Sequence, residues 1–336
     1  MKSILLTSAL IGACSAQLAF KPAEVAGNVS ESFLDEISGM FALRNESNKG
    51  KIITCHDSDS EYMFVLNADG SYDTRVNLVN DNWRDAEEIS GYTKNGTNYV
   101  VLFEFGDNAA NRDKKYIFRF EEPELQSGTV DVAEWDKIAY RIPDAMTLEK
   151  GQLMGDFEGA FVDVIDNKMY LFTKRMPVNY IYSLPIQDTY VGTQTLTFEG
   201  FMNGTVAEET GGVISPANCV GAALSQDGNH ALIKTYNMVF QFTRPEGRTW
   251  ADVLVNDSPL VETNYVGRGN PLAQEPQGES ICFANDDTGY YTVSEFRGSW
   301  QVPLFYYAVQ EDLPPFEHSY SKPAEHTHHF TVTNGY

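Results

Sequence analysis

The chain has 336 residues and carries 47 acidic against 24 basic side chains, a formal charge of −23. That balance argues against nucleic acid as a partner, because binding a phosphate backbone needs clustered Lys and Arg to release counterions. It suits a highly soluble protein, or one that holds hard cations through carboxylates.

The first sixteen residues, MKSILLTSALIGACSA, place Lys2 before an apolar run from Ile4 to Ile11, followed by small residues. This reads as a secretory signal, too short to span a bilayer, with cleavage after Ala16. The word IGAC, Ile11 to Cys14, gives the alternative of a lipid anchor through Cys14. No later segment is long and apolar enough for a transmembrane helix. The expected product is a secreted, extracellular protein with a single domain over residues 17–336. Sequons at Asn28, Asn45, Asn95, Asn203 and Asn256 predict a glycoprotein in a eukaryotic host. Removal of the signal leaves Cys55, Cys219 and Cys282, which allow at most one disulfide. A chain this long builds its own core without a disulfide scaffold.

Beyond the signal there is no sustained helical periodicity. Short runs rich in β-branched and aromatic residues alternate with Gly, Asn, Asp and Pro clusters, which predicts an all-β fold. The runs recur in a fixed order. The first unit reads EISGMFAL, KIITCHDS, EYMFVLN, YDTRVNLV, and the second DAEEISGYT, NYVVLFEFGDN, KYIFRFEEPE, KIAYRIPD. The third reads DFEGAFVDV, KMYLFTKR, NYIYSLPI, QTLTFEGF, and the fourth VGAALSQDG, HALIKTYN, MVFQFTRPEG, LVETNYVG. The fifth has GESICFANDD, GYYTVSEF and LFYYAVQ but no clear fourth strand. Five such units predict a five-bladed β-propeller of four-stranded blades. A six-bladed ring is the alternative, but no sixth opening word is present. Either the N-terminal LAFKPAEVAG or the C-terminal HFTVTN is expected to complete the fifth blade.

In a propeller the first strand of each blade lines a central channel and the second runs antiparallel to it. Opening words and second-strand endings therefore converge on one channel mouth. The opening words bring Asp35, Glu36, Ser38, Asp85, Glu87, Glu88, Asp156, Glu158, Asn218 and Glu279. Carboxylates around one axis repel unless something neutralises them. Oxygen ligands without paired His or Cys favour calcium, so Ser38, Glu87, Glu158 and Glu279 are the predicted metal ligands. The strand endings bring Asp57, Asp107, Lys174, Arg175 and Lys234, the candidate catalytic residues. Cations beside a metal suit a small anionic ligand; an extracellular protein or glycan is the alternative partner. His56 beside Asp57 is expected to be an ordinary hydrogen-bonding residue, and His326, His328 and His329 a solvated tail. No nucleophile elbow, phosphate loop or zinc signature is present.

The words EISGMF, DAEEI, FGDNAANR, DFEGAF, YLFTKR and YYTVSE resemble a group of secreted bacterial-type propellers with EISGL, DWEDI, GDNxxxR, EGL and TKR words in the same order. The likeness covers most of the mature chain. More distantly, the opening words are similar to those of the calcium-dependent apyrases. These are secreted five-bladed propellers that hold one Ca²⁺ in the channel and hydrolyse nucleoside di- and triphosphates. Word by word, that resemblance implies metal positions at Ser38, Glu87, Glu158, Ala222 and Glu279, of which Ala222 has no side-chain oxygen. It sets Lys174 and Arg175 where the apyrases carry two arginines. It sets His56, Asp57 and Ser58 where they carry a DDR word, so that arginine is missing. The implied function is a Ca²⁺-dependent hydrolase of phosphate esters or anhydrides, apyrase- or phytase-like. The alternative is a non-enzymatic binding propeller with structural calcium.

One ambiguity concerns phase. EISG occurs at residues 36–39 and again at 88–91, which pairs Glu36 with Glu88. The alignment that fits all the units instead pairs Ser38 with Glu87, Glu158 and Glu279.

Overall fold

Each run rich in Val, Ile, Phe and Tyr forms a short strand, and the Gly, Asn and Asp clusters between runs form the turns. The structure, a computed structural model, describes residues 17–310 except 59, 110–111, 113, 144–154, 177, 207–212, 215, 269–274 and 296–301. Residues 1–16 with Cys14, on which the secretory-signal expectation rests, the histidines at 326, 328 and 329, and HFTVTN lie outside the described residues.

Strand β1 (Glu24–Val29) precedes the first blade, which consists of β2 (Ile37–Ala42), β3 (Lys51–His56), β4 (Tyr62–Asn67) and β5 (Tyr72–Leu78). The second blade is β6 (Ala86–Lys94), β7 (Thr97–Glu104), β8 (Lys115–Glu121) and, after β9 (Thr129–Val132), β10 (Asp136–Arg141). The third is β11 (Phe157–Asp163), β12 (Lys168–Thr173), β13 (Tyr180–Pro185) and, after β14 (Gln194–Thr195), β15 (Thr197–Phe201). A small hairpin, β16 (Thr205–Val206) with β17 (Val213–Ile214), leads into the fourth. That blade is β18 (Gly221–Leu224), β19 (His230–Lys234), β20 (Val239–Thr243) and, after helix α1 (Trp250–Asn256), β21 (Leu260–Val261). The fifth blade is β22 (Gly278–Phe283), β23 (Gly289–Ser294) and β24 (Val302–Ala308). Its fourth strand is β1, antiparallel to β24 from Glu24↔Tyr306 to Val29↔Val302. The ring is therefore a five-bladed β-propeller. The N-terminal segment closes it.

The core is divided among the five blade interfaces. Alternate residues of a strand face opposite sides of the sheet, so each blade feeds two cores. Ile53 packs with Ile89 and Leu102 of the second blade, whereas its neighbour Ile52 packs with Val293 and Leu304 of the fifth. Phe240 packs with Phe161 and Phe172 of the third blade, and Val239 with Ile281 and Phe305 of the fifth. A single blade has two apolar faces and cannot stand without both neighbours.

The segment between third and fourth strands reaches back to the preceding blade. Strand β9 adds in parallel to the edge of β5, and β14 to the edge of β10. Helix α1 accepts a bond from Asn203 N through the Leu254 carbonyl at 2.8 Å, just beyond β15. The β4–β5 turn abuts β1 so closely that a Cβ added at Gly27 would lie 1.7 Å from the Asp69 carbonyl oxygen. Residues just before β1 do the same for the fourth blade, where Phe20 accepts from Asn264 Nδ2 at 2.7 Å. These clasps cover sheet edges that would otherwise offer unpaired backbone groups.

Gly27→Ala is expected to lower stability, because the clash is with backbone rather than with a mobile side chain. Overpacking of this kind costs roughly 1–3 kcal/mol. Urea denaturation should show a lower midpoint at an unchanged slope, and an unchanged midpoint would contradict the tight seam between β1 and the first blade.

Candidate metal centre at one mouth of the channel

The inner strands β2, β6, β11, β18 and β22 surround the axis. Four of them begin with a β-bulge. Pairing with the second strand jumps from Ile37 to Gly39, from Ala86 to Glu88, from Phe157 to Gly159 and from Gly278 to Ser280. The residues passed over are Ser38, Glu87, Glu158 and Glu279. A bulge re-aims the side chain of its extra residue, and these four side chains meet. In β18 pairing runs without a jump, Gly221 with Lys234 and Ala222 with Ile233. Val220 N also donates to the Lys234 carbonyl at 2.8 Å, so buried Val220 takes the ring position in the fourth blade and brings no oxygen, while Ala222 lies two residues deeper, level with Met40, Ile89, Ala160 and Ile281.

One carboxylate oxygen from each of Glu87, Glu158 and Glu279 lies within 4.8 Å of the others. The three residues are 1%, 1% and 2% exposed, so their charges face each other with little water to screen them. Ser38 Oγ is 2.9 Å from Glu87 Oε2 and 3.3 Å from Glu279 Oε2. The Lys174 ammonium donates to Glu158 Oε2 at 2.5 Å and to Glu279 Oε1 at 3.2 Å. Tyr236 also donates to Glu279 Oε1. Glu87 Oε1 and Glu158 Oε1 are buried without a hydrogen-bond partner among the described residues.

The electrostatics follow from this packing. Burial, then Glu158, Glu279 and Asp85, pushes the Glu87 carboxyl well above the usual carboxylate range. Burial does the same to Glu158, only partly offset by Lys174. For Glu279, burial pushes upward but Lys174, Glu295 and Tyr236 outweigh it, leaving it low. Burial works against the Lys174 charge, yet Glu158 and Glu279 hold that group above its ordinary value, as an ammonium. Around the ring, burial with Glu36, Glu279 and Asp85 pushes Asp57 up to about 7, and burial with Glu279 pushes Glu295 up to about 10.

The other predicted residues are distributed differently. Arg175 pairs through Nε with Asp156 Oδ2 at 2.6 Å, and its Nη2 lies 3.9 Å from Glu158 Oε1. Its side chain is 38% exposed, which leaves it open to solvent at the mouth. Asp107 is paired with Lys115 at 3.0 Å. Lys234 is fully buried, 3.2 Å from Glu275, between the fourth and fifth blades. The His56 ring packs on Phe64 at 4.7 Å, and burial pushes its pKa down to about 4, so it is neutral. Cys55, Cys219 and Cys282 are buried free thiols.

The two EISG words are out of register. Glu36 stands partly exposed at the rim. Glu88 points into the channel one layer below the ring, where its carboxylate accepts from Ile89 N at 3.0 Å and Ala222 N at 2.8 Å. It thereby pins β6 to β18, a role that no local pattern in the chain announces. Arg112 is a second such residue. It donates to the Gly106 carbonyl at 2.7 Å and to Glu104, folding the FGDNAANR word back on itself.

The donor set fits a hard divalent ion. An ion about 2.4 Å from each oxygen, the calcium distance, spans oxygens as far apart as those found here. Hydroxyl and carboxylate oxygens are the ligands such an ion takes, with waters completing the shell.

No family model matches the chain, and no curated protein does. Among solved structures, the chain resembles a Kuenenia stuttgartiensis hydrazine synthase at 10% identity, with 78% of this chain and 69% of the other covered and a TM-score of 0.37. It resembles a chain of a nidogen/laminin complex at 8% identity, with 77% and 73% covered and a TM-score of 0.39. Similarities this distant carry no reading of the site.

Carboxyls with a raised pKa bind more protons folded than unfolded once pH exceeds the ordinary carboxylate range. Each then lowers stability by about 1.4 kcal/mol per pH unit until it ionises in the fold. Chelator-treated protein should therefore melt at falling temperature from about pH 5 to about pH 8. Added Ca²⁺ should raise the midpoint most at the alkaline end, where the ring is most strained. A midpoint indifferent to Ca²⁺ at about pH 8 would remove the case for a metal centre.

Proposed function

We propose that this protein is an exported Ca²⁺-binding β-propeller whose loaded mouth binds a small anionic ligand. The observation that carries the reading is the buried three-carboxylate cluster, in which Glu87 Oε1 and Glu158 Oε1 have no hydrogen bond among the described residues. Burying such groups unpaired is costly, and a bound divalent cation removes the cost. Extracellular modules work with calcium at sub-millimolar to millimolar dissociation constants, which suits the export proposed here.

The ligand position is a cleft of about 420 Å³ beside the ring, between the third and fourth blades. Lys174, Arg175, Asn218, Thr235, Tyr236 and Asn237 line it. Arg175 and Asn218 both adopt left-handed backbone conformations, with φ of 62° and 61°. For an arginine that is an uncommon conformation, of a kind that clusters at binding and active sites. Lys174 is committed to the glutamates, whereas Arg175, held by Asp156 through Nε and by Asn108 through Nη2, is the more exposed cation of the cleft, with a guanidinium suited to carboxylate or phosphate oxygens.

Hydrolysis of a phosphate ester or anhydride is the second reading, and Asp57 favours it. Its carboxyl, pushed up to about 7 in the field of the ring, has the strength of a general base near neutral pH. Bound calcium would supply polarisation of a phosphoryl oxygen. Arg175 would hold the anionic oxygens in place, and Asp57 would take the proton from the attacking water. Asp107 and Lys234 are engaged with Lys115 and Glu275 and have no part in this scheme.

The test is a panel of nucleotides, p-nitrophenyl phosphate and phytate with Ca²⁺, measured for binding and for turnover. Binding that requires Ca²⁺ and falls at least about tenfold in Arg175→Ala is expected, since charge-assisted bonds of this kind contribute roughly 1.5–3 kcal/mol. Turnover above a Glu158→Gln control, lost in Asp57→Asn, would establish the hydrolase. Absence of both binding and turnover across the panel would refute the anionic-ligand site.

A further inference from the structure

The ring has four oxygen-bearing members for five blades, and the gap in the polar set falls on the fourth blade, where Val220 stands between Glu158 of the third and Glu279 of the fifth. The Lys174 ammonium lies in that gap. It bridges Glu158 Oε2 at 2.5 Å and Glu279 Oε1 at 3.2 Å. The residue is 5% exposed. Tyr236, at the mouth of the fourth blade, backs it with its ring centroid 5.2 Å from Nζ and its hydroxyl on the same Glu279 oxygen.

Resting on the metal-centre reading above, we propose that Lys174 supplies the polar group that Val220 cannot supply at the fourth blade's place in the ring and selects a divalent ion. The physical reason is charge. Three ionised carboxylates carry −3, and the tethered ammonium brings the cluster to −2, which a divalent ion neutralises. The ammonium also holds two carboxylate oxygens that would otherwise turn toward the ion. Lys174 is thus a specificity-determining residue, whereas its neighbour Arg175 faces the cleft.

Neutral variants at this position change the attraction of a trivalent ion by half as much again as that of a divalent one, because the Coulomb energy scales with ion charge. Ca²⁺ binding is measured by calorimetry and Tb³⁺ binding by sensitised luminescence, in wild type, Lys174→Met, Lys174→Gln and Lys174→Arg. Both neutral variants are expected to bind both ions more tightly. Their preference for Tb³⁺ over Ca²⁺ should rise at least about tenfold. Lys174→Arg, which keeps the charge, should leave the preference within about twofold of wild type. A structural role alone would weaken both ions alike. An unchanged Tb³⁺/Ca²⁺ preference in the neutral variants, with wild type binding Ca²⁺, overturns the inference and leaves the metal centre standing. Failure of wild type and all variants to bind either ion overturns both. If a neutral variant folds only with metal, its melting midpoints in Ca²⁺ and in Tb³⁺ give the same comparison.

Discussion

The constraint on which the rest of this structure depends is the meeting of three glutamate carboxylates in a place that water scarcely reaches. Like charges at this separation strongly oppose one another in a low-dielectric setting. The cluster persists because the fold around it leaves no alternative. Each glutamate is the extra residue of a bulge at the head of an inner strand, and each inner strand is locked between two neighbours. Part of the repulsion is relieved within the chain, by Lys174 and by protons retained on carboxyls that burial makes weak acids. The remainder is what a cation of the right charge and oxygen preference would remove.

The scaffold has to be rigid for such a cluster to hold. Five apolar seams, one at each blade interface, share the packing among all the blades. The clasps from each third-to-fourth strand segment bind every blade to the one before. Closure by β1 makes the fifth interface equivalent to the other four. Below the ring, Glu88 joins the inner strands of the second and fourth blades through their backbone amides. The polar site therefore sits on strand ends fixed from both sides, with its chemistry confined to one mouth.

Most positive charges near that mouth are already committed. Lys115 serves Asp107, Lys234 serves Glu275, Arg112 serves Glu104, and Lys174 serves Glu158 and Glu279. In a chain this acidic, the buried cations mainly stabilise buried anions. Arg175 differs in being substantially exposed, although Nε is held by Asp156 and Nη2 by Asn108. Such a residue, beside a cleft and in an uncommon backbone conformation, is the one on which the proposed anion recognition relies.

The sequence by itself determined the architecture. Alternating apolar runs, turn residues at regular spacing and five opening words suffice for a five-bladed ring, because strand periodicity and turn chemistry are local properties. It also singled out Ser38, Glu87, Glu158 and Glu279, since equivalent positions in a repeat converge once the ring closes. It did not decide between the N-terminal and C-terminal segments for the closing strand, because both are short and β-prone and the choice depends on pairing with β24. It did not show the register of the fourth inner strand, and so it set Ala222 at the ring position that Val220 holds. Lys174, Lys234 and Asp107 looked alike as charged residues at strand ends. Only the tertiary structure separated them, by setting one into the carboxylate ring and turning the other two toward partners distant in sequence. A charged side chain's role is fixed by what it is buried against, and that is not a local property of the chain.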